Sequence, residues 1–547
     1  MIQSNKQNVL TAVLAALVAV LILSIIILAS VPPISRDALV HHLAVPKLWI
    51  KHGGMYEIPD LVFSYYPMTL DILYLIPLYF GNDIIPKYFH FAFALATSWL
   101  IFSYLRNRLD MFFAIMGVLF FLSTPVIVKL SITAYVDLGL VFFSTAGLIY
   151  ALKWHEDFPQ IKYLFMSAIF CGLALGTKYN GLIVFLLLTL LIVFIVSLSV
   201  SNRKHIKFKP VFYIILFVVT VGFLYSPWGI RNYIWTGNPV YPLFDSLFNS
   251  TTPREMQSLP PFVLRKILYH ETLWEIALIP FRIFFEGMDD SPRYFDGKLN
   301  PALLVLPFFA FVASTKDNKD TVKKIFEKGM IAAFSILFIL LVFLKTSMRI
   351  RYVAPAIPCL AILSMFGVKN IFLIISERFA GNTRRVIMGL SLIAVLLPFS
   401  FNAVYIIEQF RVVAPFEYLS GNVSRNQYIE RFRPEYAAIQ HANNFLPSDA
   451  KILSLFIGGR GYYSEREMIF DFDLGLFQTL IHTSDVPEKM RATLTDRGFT
   501  HLLIRFDMFE NWCHNNLNQK EKQMVIDFLS IGESLLFAKN GHGIYKL

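Results

Sequence analysis

Eleven stretches of this chain are too apolar to be explained as surface elements of a water-soluble fold: Val9–Ala29, Ile84–Leu105, Met111–Val128, Leu138–Leu152, Tyr163–Gly176, Gly181–Leu198, Val211–Trp228, Pro301–Ala313, Met330–Leu344, Val353–Leu373 and Val386–Ile407. A helix needs roughly 20 apolar residues to cross a bilayer core. Several of these runs reach or approach that length, and the shorter ones require tilt or local thinning of the bilayer. In lipid every backbone amide must be satisfied within the protein, so the runs are read as helices. The expected fold is therefore a polytopic α-helical membrane protein of about eleven spans. Lys6 precedes the first run, and no small-residue cleavage site closes it. It reads as a retained helix, not a cleaved signal peptide.

The charges sort by loop. Of 547 residues only 16% are charged, against about 25% in a soluble chain, and the net charge is +11. With the N-terminus in the cytoplasm, the inner loops collect Arg106 and Arg108; Lys162; Arg203, Lys204, Lys207 and Lys209; Lys316, Lys319, Lys323, Lys324 and Lys328; and Arg378, Arg384 and Arg385. That excess is the positive-inside bias of a membrane protein. It argues against a nucleic-acid partner, which would need a basic soluble face. The short outer loops are poorer, so their basic residues Lys129, Lys178, Lys345, Arg349 and Arg351 are exceptions. The three cysteines, Cys171, Cys359 and Cys513, form neither a disulfide framework nor a metal spacing.

Two outer segments are long, 31–83 and 229–300. Tyr65–Phe80 within the first is apolar but rich in Pro and Tyr, and reading it as a span would invert every later loop. It is expected to be interfacial or re-entrant. From about Glu408 the composition turns polar. "AKILSLFI" and "THLLIRF" read as strands, and Glu435–Phe445 and Gln519–Leu529 as helices. The expected division is a transmembrane domain over 1–407 and a small extracytoplasmic α/β domain over 408–547. "FIGGRGYYSERE" reads as a turn, because it lacks the Lys-Ser/Thr of a phosphate loop.

Ionisable groups in or beside a membrane are costly and raise a functional question. Asp37 follows the first span in "SRDALVHHLAVPKLWIKHGG". Leu39, Leu43 and Leu48 behind it suggest an amphipathic helix on the membrane, for which Asp37 could be the N-cap. Asp137, in "SITAYVDLGLVFF", stands at the mouth of another span. Two acids at one level suit a general base, a divalent cation, or both. Lys178 breaks an apolar hairpin in "GLALGTKYNGLIVF", and "LKTSMRIRYVAPAIP" adds Arg349 and Arg351. A lysine point charge and arginine forks both suit phosphate. His41 and His42 are adjacent and cannot share one helix face as a metal pair would. His90, one turn from Lys87, reads as a packed or pore-facing residue. One face thus gathers acids and bases from distant loops, as handling an anionic lipid headgroup would require.

The order of these motifs resembles the GT-C superfamily of glycosyltransferases that use polyprenyl-phosphate sugars. The likeness is to the branch holding the aminoarabinose transferases of lipid A and the protein O-mannosyltransferases. It rests on "SRDALVHH", "SYYPMTLDILYLIPLYFG", "TAYVDLGLVFF", "GLALGTKYNGL", "PWGIRNYIWTGNPVYP" and "RYVAPAIP", over about residues 9–370. Arg36 before the first acid, two residues inserted in the "TKG"-like turn, and "YYPM" without a lysine depart from the family pattern. The resemblance implies transfer of a sugar from undecaprenyl or dolichyl phosphate to a lipid, glycan or protein at the outer face, with inversion. It makes Asp37 the base for the acceptor, has Asp137 orient the acceptor or hold a cation, and sets Lys178, Arg349 and Arg351 on the departing phosphate. Arg36, His41, His42, Tyr65, Tyr66 and Tyr135 become expected contacts for donor or acceptor. A divalent cation is optional, and membrane lipids are further partners. The alternatives are a flippase for lipid-linked glycans and an oligosaccharide ligase or polymerase.

Overall fold

A computed structural model of the protein describes residues 2–201, 209–249, 260–312, 321–472, 474–531 and 534–547. Arg203, Lys204, Lys207, Lys316 and Lys319, counted above in the inner loops, lie outside the described residues. The chain separates into two compact units, each discontinuous in sequence. The first holds residues 1–30, 65–73 and 85–415; the second holds 31–64, 74–84 and 416–547.

The first unit is helical. Seven helices in the described residues are long and apolar enough to cross a membrane: Asn8–Ala29, Ile85–Arg108, Gly181–Val200, Pro210–Thr236, Ile325–Lys345, Ile350–Arg378 and Gly381–Val413. Met111–Ser123 and Pro125–Ser131 are apolar and long enough only when taken together, and they are bent by 67° at the break between them. Asp137–Glu156 and Ile161–Thr177 are helices too, so the chain is an integral membrane protein. The run expected at Pro301–Ala313 is shorter than a span: its helix covers Ala302–Phe309, eight residues or about 12 Å. Its open C-terminal carbonyls are satisfied by a side chain. Asn370 Nδ2 donates to the carbonyls of Phe309, Ala310 and Val312 at 3.0–3.2 Å. Gly367, one turn earlier on Ile357–Arg378, lets the two helices touch; a Cβ there would overlap the Leu306 carbonyl oxygen.

Polar side chains join other helices. Asn300 Nδ2 donates to Asn402 Oδ1, and Asn402 Nδ2 donates to Ser123 Oγ, both at 2.8 Å. Arg108 Nε donates to Glu327 at 2.7 Å and Nη2 to Glu156 at 2.9 Å, and Tyr104 Oη donates to Glu327 at 2.6 Å. These residues gather the end of Ile85–Arg108, the end of Asp137–Glu156 and the beginning of Thr321–Lys345. They therefore mark one rim of the helical unit. Asp137 lies at the other end of its 20-residue helix, about 30 Å away.

The second unit is built on a five-stranded sheet of β1 (Lys451–Leu455), β2 (Glu467–Asp471), β3 (His501–Arg505), β4 (Leu535–Lys539) and β5 (His542–Lys546). The order is β2-β1-β3-β5-β4, with β1 parallel to β2 and β3, and β5 antiparallel to β3 and β4. Strand alternation fills both faces. Leu453, Leu455, Leu502 and Ile504 face a core with Phe477 and Phe528, while Ile452, Leu503 and Ile544 face another with Ala438 and Ile439. The helices Tyr436–Phe445 and Gln519–Leu529 fall where the sequence places them.

Residues 31–64 were expected among the loops of the helical domain, yet they pack with the C-terminal residues. Lys47 Nζ donates to the carbonyls of Tyr462 (2.9 Å) and Ser464 (3.2 Å) and pairs with Glu465, and Lys51 Nζ donates to the Glu465 carbonyl at 2.8 Å. Arg433 Nε donates to the Ile34 carbonyl at 2.6 Å, and Tyr462 N–H to Leu39 O at 3.2 Å. The amphipathic helix expected behind Asp37 is a π turn at Ala38–His42 followed by a helix at Ala44–His52. The whole run from Ala38 to Pro46 is buried.

Candidate functional site

Three loop ends of the helical unit converge on one acid. Asp137 opens Asp137–Glu156, Lys178 closes Ile161–Thr177, and Arg351 sits in the 3-10 turn Ile350–Ala356 beyond Thr321–Lys345. Lys178 Nζ donates to Asp137 Oδ1 at 2.8 Å, with the Asp137 side chain 3% exposed and that of Lys178 16%. The other oxygen, Asp137 Oδ2, is buried and accepts no hydrogen bond among the described residues. Asp137 is thus a buried ion-pair partner and not a side-chain cap. Lys178 and the buried Arg351 both stabilise its negative charge. Aromatic rings support the cations. Lys178 Nζ lies 5.2 Å and the Arg351 guanidinium 5.3 Å from the centre of Tyr352, and Arg351 also lies 5.2 Å from Tyr135.

The backbone explains why Lys178 sits there. The tight turn "TKYNG" needs Gly181, where a Cβ would overlap the Ala174 carbonyl. The motif "PWGIRNYIWTGN" then ties the turn to the segment before Thr69. Arg231, between the rings of Trp228 and Trp235, donates through Nη2 to the carbonyls of Tyr65 (2.7 Å) and Tyr66 (3.1 Å). Asn232 Nδ2 donates to Tyr65 O at 2.8 Å and to Tyr179 Oη at 3.2 Å, and Tyr179 Oη donates to Tyr241 O at 2.6 Å. Thr69 Oγ1 donates to Gly176 O at 2.6 Å. Tyr66 packs edge-on against Tyr179, and burial pushes both phenols up, so both remain neutral hydroxyls.

These contacts sort the expected residues. Asp137, Lys178, Arg351 and Tyr135 are brought together, with Tyr65 and Tyr66 on the clamped segment beside the Lys178 turn. Arg349 is not part of this group: its ion-pair partner is Asp296, at 3.4 Å. Arg36, Asp37, His41 and His42 belong to the second unit. There Arg36 is exposed and Asp37 half-buried. Asp37 holds the N-cap position without capping through its side chain, and His41 stacks on Phe63 and lies tilted against His42. His90, Tyr179, Arg231, Asn232 and Tyr352 shape the site without having been singled out as site residues. An arginine next to an asparagine at the end of an apolar run was the available signal for the pair at 231–232. For a cation the fit is poor. Among the described residues no three His, Cys, Asp or Glu side chains group to hold a metal, and Asp137 is surrounded by positive charge.

No curated protein matches the chain in sequence. Residues 67–227, which include His90, Asp137 and Lys178, match the model of the dolichyl-phosphate-mannose-protein mannosyltransferase family. The structure is similar to that of ArnT from Cupriavidus metallidurans bound to undecaprenyl phosphate, over 98% of each chain, at 12% identity and a TM-score of 0.59. The apo form of the same enzyme matches over 98% of each chain, at 13% identity and a TM-score of 0.59. The chain has the GT-C fold. The oligosaccharyltransferase AglB from Archaeoglobus fulgidus, in complex with an inhibitory peptide and a dolichol-phosphate, matches over 90% of this chain and 69% of its own, at 11% identity and a TM-score of 0.45. Within the GT-C fold of this chain, the family match ends before Arg349 and Arg351 and begins after Asp37, so those assignments rest on the geometry and the sequence reading alone.

Proposed function

We propose that the chain is a membrane glycosyltransferase that takes a sugar from a polyprenyl phosphate and passes it to a lipid, glycan or protein acceptor. The carrying observation is the cluster at Asp137, where Lys178 donates to the buried carboxylate at 2.8 Å and Arg351 stands close enough to stabilise the same charge. It brings together the two side-chain types that suit a phosphate: a guanidinium fork from Arg351 and a point charge from Lys178.

The chemistry follows from the leaving group. The acceptor oxygen or nitrogen attacks the anomeric carbon, the carbon–oxygen bond to phosphate breaks, and the electron pair leaves on the phosphate. No general acid is needed, because phosphate leaves as an anion that Lys178 and Arg351 stabilise as its charge develops. Direct attack inverts the anomeric carbon. The sequence resemblance supports Asp37 as the base for the acceptor proton; within the helical unit, Asp137 is assigned to hold Lys178 in place and orient the acceptor. Arg349 is dropped from the phosphate-binding set because Asp296 engages it. The positive-inside bias supports a cytoplasmic N-terminus and an extracytoplasmic C-terminal domain. Native mass spectrometry of the full chain in lipid tests the phosphate reading. Undecaprenyl phosphate should bind the wild type and bind K178M at least tenfold more weakly, while undecaprenol binds both equally. Equal binding of the phosphate by both would refute it.

A further inference from the structure

His90 is fully buried on Ile85–Arg108 and joins two helix ends at once. Its Nδ1 lies 2.9 Å from the carbonyls of both Leu130 and Thr133, and its Nε2 accepts the Leu138 amide at 2.9 Å. The Leu130 carbonyl, in the last turn of Pro125–Ser131, also accepts from the Thr133 N–H at 3.1 Å and Oγ1 at 2.9 Å, whereas the Thr133 carbonyl lies beyond the helix end and outside its ladder. Leu138 is in the first turn of Asp137–Glu156, where amides lack helical partners. Water is scarce here, so each open group would be expensive to bury. One imidazole answers both needs, because its two nitrogens lie across the ring and play opposite roles. The amide donor on Nε2 fixes the neutral tautomer with its proton on Nδ1.

The residues between those helix ends are "ITAYV", followed by Asp137, so the strap that carries Tyr135 and Asp137 is held at both ends by His90. We propose that His90 is a positioning residue for Asp137 and Tyr135: it sets the carboxylate at its 2.8 Å separation from Lys178 and the Tyr135 ring under Arg351. The consequence for catalysis rests on the glycosyltransferase reading above; the clamp itself does not. A group displaced by about 1 Å by a change outside the reacting atoms loses on the order of 100-fold in rate.

The test uses the full chain in lipid bilayers and two variants. H90Q keeps a donor and an acceptor on one side chain, and H90F keeps a ring without either. Hydrogen exchange of peptides spanning 131–141 should accelerate at least tenfold in H90F and less in H90Q. In the transfer reaction, kcat per folded molecule should fall about 100-fold in H90F and about tenfold in H90Q, with KM for the donor within threefold of wild type. Exchange at wild-type rates in H90F overturns the clamp. Faster exchange with unchanged kcat per folded molecule overturns the positioning role and leaves a structural one. A wild type that transfers no sugar, yet shows faster 131–141 exchange in H90F, upholds the clamp and overturns the glycosyltransferase reading instead.

Discussion

Replacing Lys178 by Met removes the positive charge nearest Asp137 while keeping most of the side-chain volume. At 2.8 Å and an effective dielectric of about 20, the Coulomb attraction of the pair is about 6 kcal/mol. Most of that offsets the cost of burying both charges, so the net worth of the pair is small. The cost of breaking it is not: a buried carboxylate left alone typically costs 3–5 kcal/mol. Arg351 still acts on Asp137, which places K178M near the lower limit, about 3 kcal/mol. Adding Asp137→Asn then removes the stranded charge. The double variant D137N/K178M should therefore be more stable than K178M alone, with a coupling energy of about 2 kcal/mol. Thermal unfolding of wild type, both single variants and the double variant, in the same lipid, reads this cycle. Additive effects, with coupling under about 0.5 kcal/mol, would refute the claim that the two residues form one buried unit. Stability and catalysis should also separate, because the double variant recovers its fold but not its sugar transfer.

G181A should shift the Lys178 turn, because the new methyl overlaps the Ala174 carbonyl; phosphate binding should weaken at least tenfold, as native mass spectrometry would read. G367A should destabilise the helical unit by about 1–3 kcal/mol through overpacking against Leu306, seen as a lower unfolding temperature with the donor KM unchanged. K47A should loosen residues 462–466, read as faster hydrogen exchange there and unchanged exchange at 501–505. The α/β unit should lose stability in acid. Burial holds the pKa of His501 and of His542 below the ordinary histidine value, so the folded state prefers them neutral. Their contribution is complete above about pH 6.5 and is lost as pH falls through the folded-state values, so the protection factors of amides in β3 and β5, corrected for the intrinsic exchange rate at each pH, should fall between pH 6.5 and 5.

The helices were legible because lipid leaves the backbone one local solution, and an apolar run reports it directly. Even so, run length misled at residues 301–313. There a side chain from another helix, Asn370, ends the helix after eight residues, and no local pattern carries that information. The two strands and two helices read in the C-terminal region were legible from alternation and period. The membership of residues 31–64 in that unit was not, because it depends on Lys47, Lys51 and Arg433 meeting partners about 400 residues away. At the site, Asp137 and Lys178 stood out as charges in greasy surroundings. Arg349 and Arg351 looked equivalent in sequence; the first is extended backbone facing Asp296, the second lies within the 3-10 turn, and only the fold separates them. His90 read as a packed or pore-facing residue, and only the fold shows its bonds to residues 40 to 48 positions away.

The central claim is that this chain breaks the bond between a sugar and a polyprenyl phosphate at the Asp137–Lys178–Arg351 site. The direct measurement supplies purified full-length protein in lipid vesicles with radiolabelled polyprenyl-phosphate sugars and candidate acceptors, and follows free polyprenyl phosphate and labelled acceptor together. Wild type should produce both in equal amounts with an inverted anomeric centre, and D137N and K178M should each fall at least 100-fold. Movement of intact donor between leaflets with no bond broken, or full turnover by D137N, would contradict the account.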